Sequence, residues 1–208
     1  MINEEKSTYF LLFRLGLYGF CIFLLHLLLA FYLLPKGWSF SENAHIEWLQ
    51  FSLVSTAAII LLVGAIVFPV QRRTLFLLFT CAFIACAREL DKSLDELIPV
   101  IGWQAIFFIA VLIALWQLKN FKETKAQLMK FFVSPAMAVC WTAIVIIIAL
   151  AQCIGDKSYL QAALGSEYTR NSKKIIEESL ELYGYLILLC GSIETLFFAR
   201  NQNLGNRE

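Results

Sequence analysis

Three short stretches of this chain set acidic groups at helical spacing. Glu47 and Gln50 stand at i and i+3 in His45-Ile46-Glu47-Trp48-Leu49-Gln50. Arg88, Glu89, Asp91 and Asp95 follow an apolar run that ends at Ala87. Glu178, Glu181 and Tyr185 fall at i, i+3 and i+7. On a helix, residues at such spacing share a face, and like charges placed there repel unless a proton, a cation or an arginine neutralises them. That chemistry suits general acid–base work, oxygen ligation of a hard divalent cation such as Ca²⁺ or Mg²⁺, or, with Arg88, the holding of a phosphate. Asp91 and Glu181 are the expected proton-handling pair. Glu47, Gln50, Arg88, Glu89, Asp95, Trp103 and Glu178 are the expected substrate- or ion-binding groups, with Gln104 beside Trp103 on the wall. Two readings of this set stay open: an outward-opening polar pocket, or an ion-pair network that orders the helices.

Other polar residues are weaker candidates. His26 lies in the middle of an apolar run, as a hydrogen-bonded histidine or a proton carrier. Glu194 is expected to bond a polar neighbour on another helix, and Arg14 to snorkel to an interface. The six cysteines are scattered and read as packing residues. With only two histidines a His-rich zinc site is excluded, and the sequence has no Gly-rich phosphate loop, nucleophile elbow or H-E-x-x-H.

The elements that must carry these residues follow from composition. The 208 residues are 60% hydrophobic and 16% charged, with a mean hydropathy of +0.71. A soluble domain of this size could not hide so much apolar surface. A water-soluble enzyme, a disulfide scaffold, a nucleic-acid binder and a disordered chain are all excluded, and the lipid bilayer is the expected surrounding. Crossing its hydrocarbon takes roughly 20 mostly apolar residues. The runs predict one all-α domain over 1–208, a bundle of six transmembrane helices at about 9–34, 46–68, 74–93, 97–118, 131–153 and 178–199. The third is apolar only from Thr74 to Ala87, so its span is expected to continue through Arg88, Glu89 and Asp91 to about Ser93, which puts ionisable groups at depth. Trp103 and Trp116 suit two interfacial anchors on the fourth helix. The segment Lys119 to Lys130 reads as an interfacial helix at an anionic leaflet.

Lysine and arginine set the orientation. With the N-terminus inside, ten of the 17 basic residues lie inside and seven outside, which places both termini in the cytoplasm. Eleven of the 16 acids then lie outside, an asymmetry the insertion rule does not require.

The patches Glu42-Asn43 to Gln50, Ala87-Arg88-Glu89-Leu90-Asp91 and Glu177-Glu178-Ser179-Leu180-Glu181-Leu182-Tyr183-Gly184 resemble small multi-pass bacterial inner-membrane proteins. The resemblance implies a six-helix protein of the bacterial inner membrane and carries no reaction with it. From the residues themselves three functions are open: a membrane-embedded enzyme acting on a lipid or lipid-linked substrate, metal-assisted or not; a proton- or cation-coupled transporter; and a non-catalytic subunit whose acidic face docks a basic partner.

Overall fold

A computed structural model describes residues 2–40, 45–90 and 102–205. It is all-helical, 93% helix with no strand among the described residues. The helix α1, Ile2–Leu28, runs on through a wide π turn and a tight 3-10 turn to Lys36, and stops at Gly37, whose φ of 88° is open to glycine at little cost. The next is α2, His45–Val67, which ends before Pro69 because proline cannot continue the ladder. It is followed by α3, Arg72–Glu89, and α4, Gly102–Gln117. The short α5 is Phe121–Phe132. After Ser134, whose hydroxyl caps Met137, α6 runs Pro135–Ile154 with a π turn over Val145–Leu150. The surface helix α7, Lys157–Leu164, is capped by Asp156, and α8, Arg170–Gly205, closes the described chain.

Among the described residues five helices are long and apolar enough to cross a membrane: Thr8–Lys36, His45–Val67, Pro69–Glu89, Pro135–Ile154 and Arg170–Gly205. The expected fourth span is represented by α4, whose apolar part, Ile106–Gln117, is shorter; positions 97–101 lie outside the described residues. The expected third span gains length at its start. The turn Pro69–Gln71 leads directly into α3, and the helical hydrogen bonding closes at Glu89, with the Leu90 N–H turned back to Ala87 and Arg88. Eighteen residues of α-helix and one 3-10 turn reach about 33 Å, so the length comes from Arg72 and Arg73 inside the helix. Gln127 of α5 makes that start stable. Its side-chain oxygen accepts from the Arg73 and Thr74 N–H groups at 3.0 and 3.4 Å, two donors that a helix start otherwise leaves bare.

The bundle is arranged around α8. It packs on α2 and α6, while α3 lies between α2 and α4. Half of the most apolar window of α8 is buried, against 11% for α1 at the periphery. The interior is built from small residues: Ala57, Ala58 and Ala65 of α2, Ala82 and Ala87 of α3, Gly184 and Gly191 of α8. Large apolar side chains such as Phe13, Ile59 and Leu112 point outward. Lipid tails solvate the large groups as well as a core would, so contact between helices is won by close backbone approach.

The short helix α5 faces the bundle with polar groups. Thr124, Gln127 and Phe131 are buried, while Phe121, Met129 and Phe132 are exposed among its lysines. Thr124 donates to the Gln117 carbonyl at 2.9 Å. The helix thus caps its neighbours on one side and offers an apolar, basic face on the other, which suits an interface.

Candidate functional site

Three helices bring the acidic stretches to one end of the bundle. The start of α2 supplies Glu47 and Gln50, the last turn of α3 supplies Arg88 and Glu89, and the first half of α8 supplies Glu178, Glu181 and Tyr185. Gln50 is fully buried; its amide nitrogen donates to the Glu178 carboxylate and to the Glu178 backbone carbonyl, each at 3.0 Å. Its amide oxygen has no partner among the described residues. Glu47 is half-buried, and its charge is felt at Glu178, as is that of Lys174 one turn earlier on α8.

Arg88 joins α3 to α8. One terminal nitrogen lies 2.5 Å from the Glu181 carboxylate, and its Nε is 3.8 Å from Glu89. Tyr185, buried in the core beside Val54, Ala82 and Cys86, donates to the same Glu89 oxygen at 2.5 Å. The exposures decide what the group can do. The side chains of Glu89 and Glu181 are 7% and 9% exposed, but that of Arg88 is 44% exposed. Among the described residues Arg88 therefore has N–H donors beyond those it gives to its partners, on a half-exposed guanidinium over two buried carboxylates. Among the described residues four carboxylates, Glu47, Glu89, Glu178 and Glu181, are gathered with Arg88 and Lys174, an excess of acid that a proton or a ligand cation can balance.

Six of the expected site residues, Glu47, Gln50, Arg88, Glu89, Glu178 and Glu181, are thus brought together. Asp91 and Asp95 lie outside the described residues, as does the side chain of Trp103; Gln104 is exposed. Among the described residues no three His, Cys, Asp or Glu side chains are grouped as a metal ion would require. Tyr185 completes the cluster, and its signal in the sequence is its place on the Glu178–Glu181 stripe.

A second polar group ties α1 to α8. Arg14 donates to both oxygens of Glu194, at 2.6 and 3.2 Å, and Tyr18 adds a third bond at 2.8 Å. Glu194 makes the interhelical bond expected of it. Arg14 thus reaches the carboxylate with its guanidinium 4.6 Å from the centre of the Phe197 ring. His26 pairs with the Tyr183 hydroxyl at 3.0 Å, and the six cysteines are free.

No protein-family model, curated protein or solved structure matches this chain.

Proposed function

We propose that the chain is a membrane-embedded enzyme of a bacterial inner membrane, with six crossings and both termini cytoplasmic, and that its acidic end handles a lipid or lipid-linked substrate at the outer leaflet. The observation that carries this reading is the half-exposed Arg88 lying over the buried pair Glu89 and Glu181. A phosphate or a developing oxyanion can take the outward N–H donors of Arg88, while a carboxylate beside it gives or accepts the proton. Glu181 is the proton-handling group on α8, and Asp91, two residues beyond Glu89, is its proposed counterpart. Glu47, Gln50 and Glu178 are the proposed substrate- or ion-binding groups beside Glu181, with Gln50 held to Glu178. The acidic excess leaves room for a divalent cation held partly by Asp91 and Asp95. The test is the lipid profile of cells carrying Asp91→Asn or Glu181→Gln, together with calorimetric titration of the purified protein with Mg²⁺ and Ca²⁺. An altered lipid species is expected from both variants; an unchanged profile and no cation binding remove the proposal.

Proton- or cation-coupled transport is the second reading, favoured by the Arg14–Tyr18–Glu194 group further along α8. Glu181 and Glu194 stand 13 residues apart, about 20 Å of helix, with buried Tyr185 and Ser192 between them. Ion-driven solute uptake in proteoliposomes that Glu194→Gln abolishes would support it, and no flux under any gradient would count against it.

A further inference from the structure

The end of the bundle opposite the acidic cluster holds a cavity of about 600 Å³ between the end of α2, the start of α3 and the α4–α5 turn. Its lining is divided. Ile66, Phe76 and Trp116 form an apolar side, and Ile66 and Trp116 are 64% and 61% exposed, turned to the exterior of the bundle. Arg72, Lys119 and Asn120 form the polar side.

Also in the lining, Arg73 and Glu123 answer each other at 2.9 Å, and Arg73 donates to the Gln117 carbonyl at 3.1 Å. This pair neutralises itself, so the charge left to the cavity is that of Arg72 and Lys119. Among the described residues Arg72 spends only its Nε, on the Ala65 carbonyl at 3.2 Å, which leaves the terminal N–H groups of its fork. Neither residue makes an ion pair among the described residues. Asn120 stands at the cap of α5 without a capping bond from its side chain, so its amide is also unspent there.

A planar guanidinium fork beside an ammonium and an amide matches a phosphate. A freely diffusing anion would gain nothing from the apolar side. That side continues onto the surface where Ile66 and Trp116 meet the bundle's surroundings, and the neighbouring α5 carries Lys122, Lys125 and Lys130 beside exposed Phe121, Met129 and Phe132, a basic and apolar surface suited to an anionic interface. We propose that this cavity binds the phosphate of an anionic phospholipid, with the headgroup on Arg72, Lys119 and Asn120 and the upper acyl chain along Ile66 and Trp116. The site is separate from the acidic cluster and does not rest on the acid–base reading.

Native mass spectrometry of the detergent-solubilised full chain tests it, with phosphatidylglycerol, phosphatidylcholine and inorganic phosphate as probes. The expected result is one phosphatidylglycerol retained per chain in preference to phosphatidylcholine. Lys119→Gln, which removes an exposed side chain that makes no hydrogen bond or ion pair among the described residues, should weaken retention roughly tenfold, the loss of one charge-assisted hydrogen bond. Adding Arg72→Gln should weaken it further. Lys122→Gln with Lys125→Gln, on α5 but outside the cavity, should leave it unchanged. Equal weakening by this control pair would reduce the binding to general surface attraction and overturn the proposal. So would retention unaffected by Lys119→Gln, or displacement of the lipid by inorganic phosphate at the same concentration, which would make the site one for a free anion.

Discussion

Arg14 in the middle of α1 and Glu194 in the second half of α8 stand 180 positions apart and are joined by two hydrogen bonds. Because α1 is the least buried of the five candidate spans, this pair and the Tyr18 bond beside it are a main restraint on where α1 sits. Removing Glu194 leaves the part-buried Arg14 guanidinium and the Tyr18 hydroxyl without their acceptor. Glu194→Ala should therefore loosen α1 from α8. Cys21 on α1 and Cys190 on α8 lie within electrostatic reach of each other, so a short thiol-to-thiol cross-linker reports the contact without added cysteines. Cross-linking should be efficient in the native protein and fall several-fold in Glu194→Ala. Equal yields would show that apolar packing alone places α1.

The Arg88–Glu181 pair predicts strong coupling between two substitutions. Arg88→Met strands Glu89 and Glu181 with no other cation paired to them among the described residues, and should lower the melting temperature in detergent sharply. Adding Glu181→Gln removes one stranded charge and should recover part of the loss. The coupling in the double-mutant cycle should be about 1 kcal/mol or more, the range for residues in one network. Additive losses would mean that the two groups do not act on each other in the folded protein.

The sequence carries the helices and the gathering of the acids for a simple reason. Apolar runs ended by Pro35, Pro69 and the Arg72-Arg73 pair mark spans with little ambiguity, and Glu47, Glu89 and Glu181 each sit at a run's end on the same side. Partner choice is another matter. Nothing local tells that Arg88 takes Glu181 while Tyr185 takes Glu89, or that Arg14 finds Glu194, because these pairs join helices distant in the chain. The start of α3 was similarly hidden: Arg72 and Arg73 read as a loop flank until Gln127, more than 50 residues on, supplies the cap that lets them be helical.

That cap makes its own prediction. Gln127→Ala leaves the Arg73 and Thr74 N–H groups without their side-chain acceptor, a loss of about 0.5–2 kcal/mol on the scale of helix caps. Amide hydrogen exchange at Arg73 and Thr74 should accelerate, while exchange near the middle of α3 stays slow. Gln127→Glu keeps an acceptor and should restore protection. Unchanged exchange in Gln127→Ala would mean that another group caps α3.

At the surface helix α7, Asp156 accepts from the Tyr159 N–H at 2.9 Å. That hydrogen bond is the main reason its carboxyl is held below the ordinary 3.8. A lowered carboxyl value means the cap is present above pH 3.8 and is lost as the pH falls through the value in the folded chain. The Tyr159 amide resonance should therefore move only in acid below that point. In Asp156→Asn, which caps without titrating, the movement should vanish; if it persists, some other group is responsible.

Glycines test the packing of α8 on α6. A Cβ at Gly191 would stand 2.8 Å from the Cys140 sulfur and 3.2 and 3.3 Å from the Cys140 backbone nitrogen and Cα. The sulfur can rotate, but the backbone can yield only if the helices part. Thr195, which donates to the Gly191 carbonyl at 2.7 Å and lies 3.7 Å from the Cys140 sulfur, would be carried with them. Gly16 and Gly19 on α1 have nothing within 4 Å of the same position. Alanine is the better helix former by about 0.5–1 kcal/mol, so Gly16→Ala and Gly19→Ala should leave the melting temperature level or raise it. Gly191→Ala should lower it, and Gly191→Val should lower it more. If Gly191→Ala behaves like the α1 substitutions, α6 and α8 do not meet as closely as these distances require.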